Sequence, residues 1–132
     1  MMNDTGLVVG VDIFDEIIEE SKKCIIKNNK NLIDDGKIIL VNSDGRKGFK
    51  KYAPYHVIHA GAAVETIPKE LFDQLACGGI MFIPVGKKNK MDQKNQNILL
   101  VKKDRKGVIT KKNIMEVRYG YLCTPEEQIK NE

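Results

Sequence analysis

Leu7-Val8-Val9-Gly10-Val11-Asp12 is an unbroken apolar run that stops at a carboxylate. A short run without polar alternation reads as a strand of a parallel sheet, covered on both faces. Immediately after it the period changes. Phe14, Ile17, Ile18, Ser21, Cys24, Ile25 and Asn28 recur at helical spacing. Asp15, Glu16, Glu19 and Glu20 come early in this stretch and Lys22, Lys23 and Lys27 late, the order a helix dipole favours. Asn28-Asn29-Lys30-Asn31 is expected to end the helix.

Working outward, the same alternation continues. Asp34-Asp35-Gly36 turns the chain into a second buried strand over 37–41. Asn42-Ser43-Asp44-Gly45-Arg46-Lys47-Gly48 is a polar loop, and a third strand covers 55–60, followed by the small residues Gly61-Ala62-Ala63. Pro68 suits the first position of a short helix running through Leu75, because its missing N–H costs nothing there. Cys77-Gly78-Gly79 reads as a tight turn before a fourth strand over 80–85. Beyond Gly86 a Lys/Asn/Gln-rich loop leads to Ile98-Leu99-Leu100-Val101. Asp104-Arg105-Lys106-Gly107 then turns the chain back through Val108-Ile109-Thr110 and 114–119, an antiparallel hairpin at a sheet edge. The order predicts an α/β fold, mostly parallel with a C-terminal antiparallel hairpin, as one domain over 1–132 without internal boundary.

Composition narrows the function classes. With 132 residues, 42% hydrophobic and 30% charged, the chain can bury a core and is not a disordered tail. No apolar run approaches the roughly 20 residues of a membrane-spanning helix. The start, Met1-Met2-Asn3-Asp4-Thr5-Gly6, lacks the basic region and apolar core of a secretory signal. Cys24, Cys77 and Cys123 are odd in number and widely spaced, so reduced thiols and a cytoplasmic setting are expected rather than disulfides or zinc. The net charge of +4 comes from scattered lysines, with clusters only at Lys87-Lys88-Asn89-Lys90 and Lys102-Lys103-Asp104-Arg105-Lys106. No aromatic residue is interleaved with either, so solvated lysine faces are expected and no nucleic-acid partner.

Ligands of parallel α/β sheets bind at the carboxyl ends of strands. Asp12 closes the first strand, where a carboxylate either accepts from both hydroxyls of a ribose or caps the following helix. Asp44-Gly45 follows the second strand and either receives an exocyclic amine beside a flat ring or forms an ordinary Asp-Gly turn. Gly61-Ala62-Ala63 leaves room for a ligand or for close helix packing. His59 ends the third strand as a candidate base, but a packed core histidine is the stronger reading since no carboxylate stands at a convincing spacing. His56 has no evident role, and no metal-ligand cluster is visible.

With those loops placed, several motifs stand in a recognisable order. They are Val9-Gly10-Val11-Asp12, then Val41-Asn42-Ser43-Asp44-Gly45-Arg46-Lys47-Gly48, then Ile58-His59-Ala60-Gly61-Ala62-Ala63, then Asp73-Gln74-Leu75, Gly78-Gly79 and Ile83-Pro84-Val85-Gly86. From about Gly6 to Gln128 the chain resembles the protein-L-isoaspartate O-methyltransferases, of the Rossmann-like class I S-adenosylmethionine-dependent fold. The resemblance implies methyl transfer from S-adenosylmethionine to the free α-carboxylate of isoaspartyl residues in damaged peptides and proteins, leaving S-adenosylhomocysteine. It implies that Asp12 binds the cofactor ribose, that Asp44 and Gly45 line the adenine pocket, and that His59, Gly61 and Ala62 pass near the methionine end. Tyr119, Gly120, Tyr121 and Leu122 would lie near the isoaspartyl peptide. No catalytic residue, metal or membrane is implied, and the full-length protein is expected to be a monomer.

Departures from the family pattern are His56 in place of Asp, Ala76-Cys77-Gly78-Gly79 in place of Lys-Pro-Gly-Gly, and Tyr121 in place of proline. The family's first strand, its glycine-rich cofactor loop and an upstream serine-bearing segment have no counterpart among these residues. The chain therefore reads as a partial methyltransferase domain matching the carboxyl-terminal two-thirds of the pattern, expected to be inactive alone. Since that first strand lies between the strands matching 8–11 and 57–60, both are expected to present unpaired edges. Two other readings stay open: a non-catalytic chain binding a nucleoside or a partner, and a class I methyltransferase acting on RNA or a small molecule.

Overall fold

β1 (Val8–Asp12) and β2 (Ile38–Asn42) pair in parallel, from Val8 against Ile38 to Asp12 against Asn42. The computed structural model describes residues 6–87 and 96–129. Between these strands runs α1 (Asp15–Asp34), which lies against both of them and buries Ile18. The strand was expected to be covered on both faces; instead Val8 is 43% exposed and every other β1 side chain is only partly buried. A two-strand sheet with one helix on it has a single covered side. A Cβ on Gly10 would stand 2.7 Å from the end of the Leu40 side chain, which would have to shift to admit it.

The helix does not stop at Asn28. It breaks locally at Asn29 (φ −144°, ψ 42°) and then resumes to Asp34. Asparagine competes for backbone hydrogen bonds and weakens a helix interior, but the Lys30–Asp34 pair, 3.9 Å apart, lies one turn apart on the continuation. The end is closed by Asp35 and Gly36 N–H groups donating to the Asn31 and Ile33 carbonyls, with Gly36 at φ +68°.

These elements share one compact unit, Met1–Gly45 with Cys123–Glu132; Arg46–Leu122 forms a second. The second unit holds β3 (Tyr55–His59), α2 (Lys69–Gln74), β4 (Leu75–Gly86), β5 (Gln96–Lys103) and β6 (Ile109–Val117). Its sheet runs in the order β3-β4-β5-β6, with β3 and β4 parallel and the remaining pairs antiparallel. The expected edge hairpin is β5–β6. Its turn is held by Asp104, whose Oδ1 accepts from the Lys106 and Val108 N–H groups at 2.8 and 2.9 Å. β6 is mostly exposed and carries Lys111 and Lys112, charges that suit an edge strand. Among the described residues β1 pairs only with β2 and β3 only with β4.

β4 is central and explains its apolar sequence. Met81 and Ile83 are fully buried, as is Val101 of β5. They pack with Val64, Ile67, Leu71 and Leu75 into the core of this unit. α2 begins at Lys69 with Pro68 as its cap residue, one position earlier in the helix than expected. The Cys77-Gly78-Gly79 turn is absorbed into β4 as a bulge. Tyr55 pairs with Leu75 but Val57 with Ile80, and Gly78 takes φ +83° in between. Lys103 turns inward and donates to the Phe72 and Leu75 carbonyls at 3.0 and 2.9 Å, fastening the end of α2 to β5. In the first unit, α3 (Pro125–Ile129) opens on a reciprocal cap between Thr124 and Glu127.

Candidate functional site

In the first unit the carboxyl ends of β1 and β2 are fastened together. The Ser43 N–H donates to the Asp12 carbonyl at 2.9 Å, and Asn42 Nδ2 donates to the Ile13 carbonyl at 3.1 Å. Asp12 Oδ1 accepts from the Phe14 N–H at 2.9 Å, which turns the chain toward α1. Asp12 is not the cap residue itself, a position Phe14 takes without a side-chain bond. Its second oxygen carries no hydrogen bond among the described residues. Asp44 follows two residues after β2 and Gly45 opens a single 3-10 turn, Gly45–Lys47. Asp12 and Asp44 thus leave the same edge of one parallel pair.

The continuation of that loop is held in the second unit. Gln74 Nε2 donates to the Lys47 carbonyl at 2.8 Å, and Gln74 Oε1 accepts from the Phe49 N–H at 2.8 Å. Tyr55 donates its hydroxyl to the Phe49 carbonyl. Burial, and then the neighbouring Tyr52, push the Tyr55 phenol above its ordinary pKa. Gly48 lies between the two clamped residues at φ +60°, and a Cβ on it would stand 2.3 Å from Gln74 Oε1. Backbone conformation and space both require glycine there.

The second unit also brings together two stretches far apart in sequence. β3 and β4 run in parallel, so His59 and the residues after it leave the same edge as Gly86. Ala63 forms a parallel bridge to Tyr121: its N–H donates to the Gly120 carbonyl at 2.7 Å and its carbonyl accepts from Leu122 at 2.8 Å. Val64 continues the contact to β4, bonded to Pro84 and Gly86. Ala63 is fully buried while Gly61 is exposed, with nothing within 4 Å of a Cβ placed on it or on Gly120. Tyr121 reaches the Gly86 and Lys87 carbonyls with its hydroxyl at 3.3 and 3.0 Å. Gln96 holds the start of the segment, accepting from the Tyr119 N–H at 2.7 Å and donating to the Tyr119 carbonyl at 3.1 Å.

His59 is exposed, which overturns the packed-histidine reading; the side chain follows Ile58 on the opposite face of a strand that buries only one side. His56 is exposed as well. Cys24, Cys77 and Cys123 are free thiols. Of the basic cluster at 102–106, Lys103 serves the fold, as described above. The cluster at 87–90 lies outside the described residues beyond Lys87, as does the start at 1–5. Among the described residues no helix is long and apolar enough to cross a membrane, and no group of three His, Cys, Asp or Glu side chains stands where it would hold a metal.

Sequence reasoning assigned no role to Gln74 or Gln96. They are the two buried polar side chains among the described residues, 7% and 3% exposed. Gln74 follows Asp73 at the polar end of a short helix, where nothing local marks it as buried. Gln96 stands in a Lys/Asn/Gln-rich stretch where nothing local marks it.

A family model described as protein-L-isoaspartate(D-aspartate) O-methyltransferase (PCMT) matches residues 1–127. Relatives include a Caenorhabditis elegans protein-L-isoaspartate O-methyltransferase, 39% identical over 97% of this chain and 55% of its own length. An Arabidopsis thaliana protein-L-isoaspartate O-methyltransferase 2 is 38% identical over 98% of this chain and 40% of its own length. The chain thus spans about half the length, or less, of these relatives. Its fold matches that of a Plasmodium falciparum PCMT solved in complex with S-adenosyl-L-homocysteine, with a TM-score of 0.75, 19% identity, and coverage of 89% of this chain and 52% of that one. A second solved protein-L-isoaspartate O-methyltransferase gives a TM-score of 0.74 at 25% identity, covering 97% of this chain and 39% of that one. The chain belongs to the protein-L-isoaspartate(D-aspartate) O-methyltransferase family.

Proposed function

We propose that the protein transfers a methyl group from S-adenosylmethionine to the free α-carboxylate of isoaspartyl residues in damaged proteins. The observation that carries this reading is the Ala63–Tyr121 bridge, which joins the strand-end loop suited to a cofactor to the segment suited to a peptide. The relatives' names support the same activity. The residues present fit an adenosyl ligand. Asp12 has an oxygen free of hydrogen bonds among the described residues for ribose hydroxyls, Asp44 and Gly45 serve the adenine, and His59, Gly61 and Ala62 serve the methionine end. The sulfonium of the bound cofactor supplies an electrophilic methyl group.

The chain's own task is to bind and orient. An α-carboxylate titrates at about pH 3.3–3.7 and is already ionised at neutral pH, so its oxygen needs no base to attack. Positioning then supplies most of the acceleration. Tyr119, Gly120, Tyr121 and Leu122 hold the peptide. The following backbone amide nitrogen attacks the resulting methyl ester and expels methanol to close a succinimide, which water reopens in part to a normal aspartate. The protein acts as a monomer in a reducing, cytoplasmic setting, which the three free thiols support, without nucleic acid or membrane.

The test is transfer of labelled methyl by the protein at its natural length to two peptides identical except for one isoaspartyl or aspartyl linkage. Label in the isoaspartyl peptide alone is the expected result. Equal labelling of both, or of neither, contradicts the proposal.

A further inference from the structure

Each of the two buried glutamines uses both ends of its amide on the backbone of a single loop. Gln74 bonds the carbonyl of Lys47 and the N–H of Phe49, both at 2.8 Å. Gln96 bonds the N–H and the carbonyl of Tyr119 at 2.7 and 3.1 Å. A glutamine amide placed this way imitates one residue of a neighbouring strand. Gln96 makes the point plainly. Its backbone pairs with Val117 at the end of β6, and its side chain carries the pairing two residues further, to Tyr119. Gln74 does the same for a loop that has no strand beside it.

We propose that Gln74 and Gln96 are positioning residues with separate duties, Gln74 for the cofactor and Gln96 for the isoaspartyl peptide. Gln74 grips the end of the 3-10 turn Gly45–Lys47, whose first residue is the one placed at the adenine. Tyr55 grips the far side of Phe49, so the loop is fixed from both faces. Gln96 sets the course of the chain as it leaves β6 and enters 119–122, where Ala63 takes over at Gly120 and Leu122. Neither glutamine needs to touch a ligand. Both amides are buried where a lost bond leaves backbone groups without water, so each loop has one preferred course while its glutamine is present. The inference rests on the reading of the site given above.

Without its clamp a loop samples other courses, and apparent affinity falls by the fraction that stays competent. In the protein at its natural length, Gln74→Met is expected to raise the S-adenosylhomocysteine Kd about tenfold and leave the KM for an isoaspartyl peptide within about twofold, if the competent fraction drops to about a tenth. Gln96→Met is expected to do the reverse. A purely structural role would lower the melting temperature of both variants and leave both constants of the folded protein alone, or move both together. Either outcome overturns the proposal. Should a methionine variant fail to fold, the glutamate variant at that position keeps the acceptor for the Phe49 or Tyr119 N–H and reads the same constant with a smaller shift; movement of the other constant overturns the proposal. Asp44→Ala and Gly120→Val separate this inference from the site reading beneath it. If they leave cofactor Kd and peptide KM unchanged, the site reading fails. If they shift those constants while the glutamine variants do not, the positioning proposal alone fails.

Discussion

Asp12→Asn is the substitution that separates the two jobs open to this carboxylate. Oδ1 accepts from the Phe14 N–H at 2.9 Å and shapes the entry to α1. The asparagine carbonyl oxygen can keep that bond. Its amide nitrogen then replaces the second carboxylate oxygen, and a donor stands where ribose hydroxyls need an acceptor. One hydrogen bond to a charged acceptor contributes about 1.5–3 kcal/mol, or a factor of about 10 to 150 in Kd. Asp12→Asn should therefore weaken S-adenosylhomocysteine by about that factor, with thermal stability close to the parent. Asp12→Ala loses the turn bond as well and should lower stability by about 1 kcal/mol besides. The assay is calorimetric titration with S-adenosylhomocysteine, paired with thermal melting, on the protein at its natural length. An asparagine variant with unchanged affinity, together with a less stable alanine variant, would refute the ribose assignment and leave Asp12 as a turn residue.

Three further outcomes follow from the packing. Ile83→Ala empties a fully buried site on the central strand and should cost about 2–5 kcal/mol in a urea melt, whereas Ile83→Val should cost about 0.5–1.5 kcal/mol. Tyr55 has a folded pKa above its unfolded value, so its contribution is complete below about pH 10 and is lost as pH rises through the folded pKa; Tyr55→Phe should show a shallower loss of stability above about pH 10 in pH-dependent melts. Lys103→Met removes both carbonyl contacts at the end of α2 and should lower stability by about 1–3 kcal/mol, with faster amide exchange over 72–76.

Strand–helix alternation was legible because apolar runs and helical spacing are local patterns. The runs at 8–12, 38–42 and 55–59 became parallel strands, and the Asp104–Gly107 turn closed the hairpin. Coverage of those strands was not legible. Val8 and Val57 are as apolar as Met81, yet burial depends on which neighbours arrive, and among the described strands β4 and β5 alone have a strand on each side. The Asn28-Asn29 break was overread, since a weak helix interior can kink without ending. In the candidate site, the two aspartates were visible from their place after apolar runs. The Ala63–Tyr121 bridge and the two glutamine clamps were not, because each joins residues more than 20 positions apart through backbone atoms that every residue type carries.

The ends of β1 and β2 are proposed to hold the adenosyl portion of the cofactor, and a crystal structure of the protein at its natural length with S-adenosylhomocysteine tests this most directly. The expected result is the ribose hydroxyls on the Asp12 carboxylate and the adenine beside Asp44 and Gly45. An adenosyl group bound away from the Asp12 carboxylate, with Oδ1 still on the Phe14 N–H and Oδ2 in water, would contradict it.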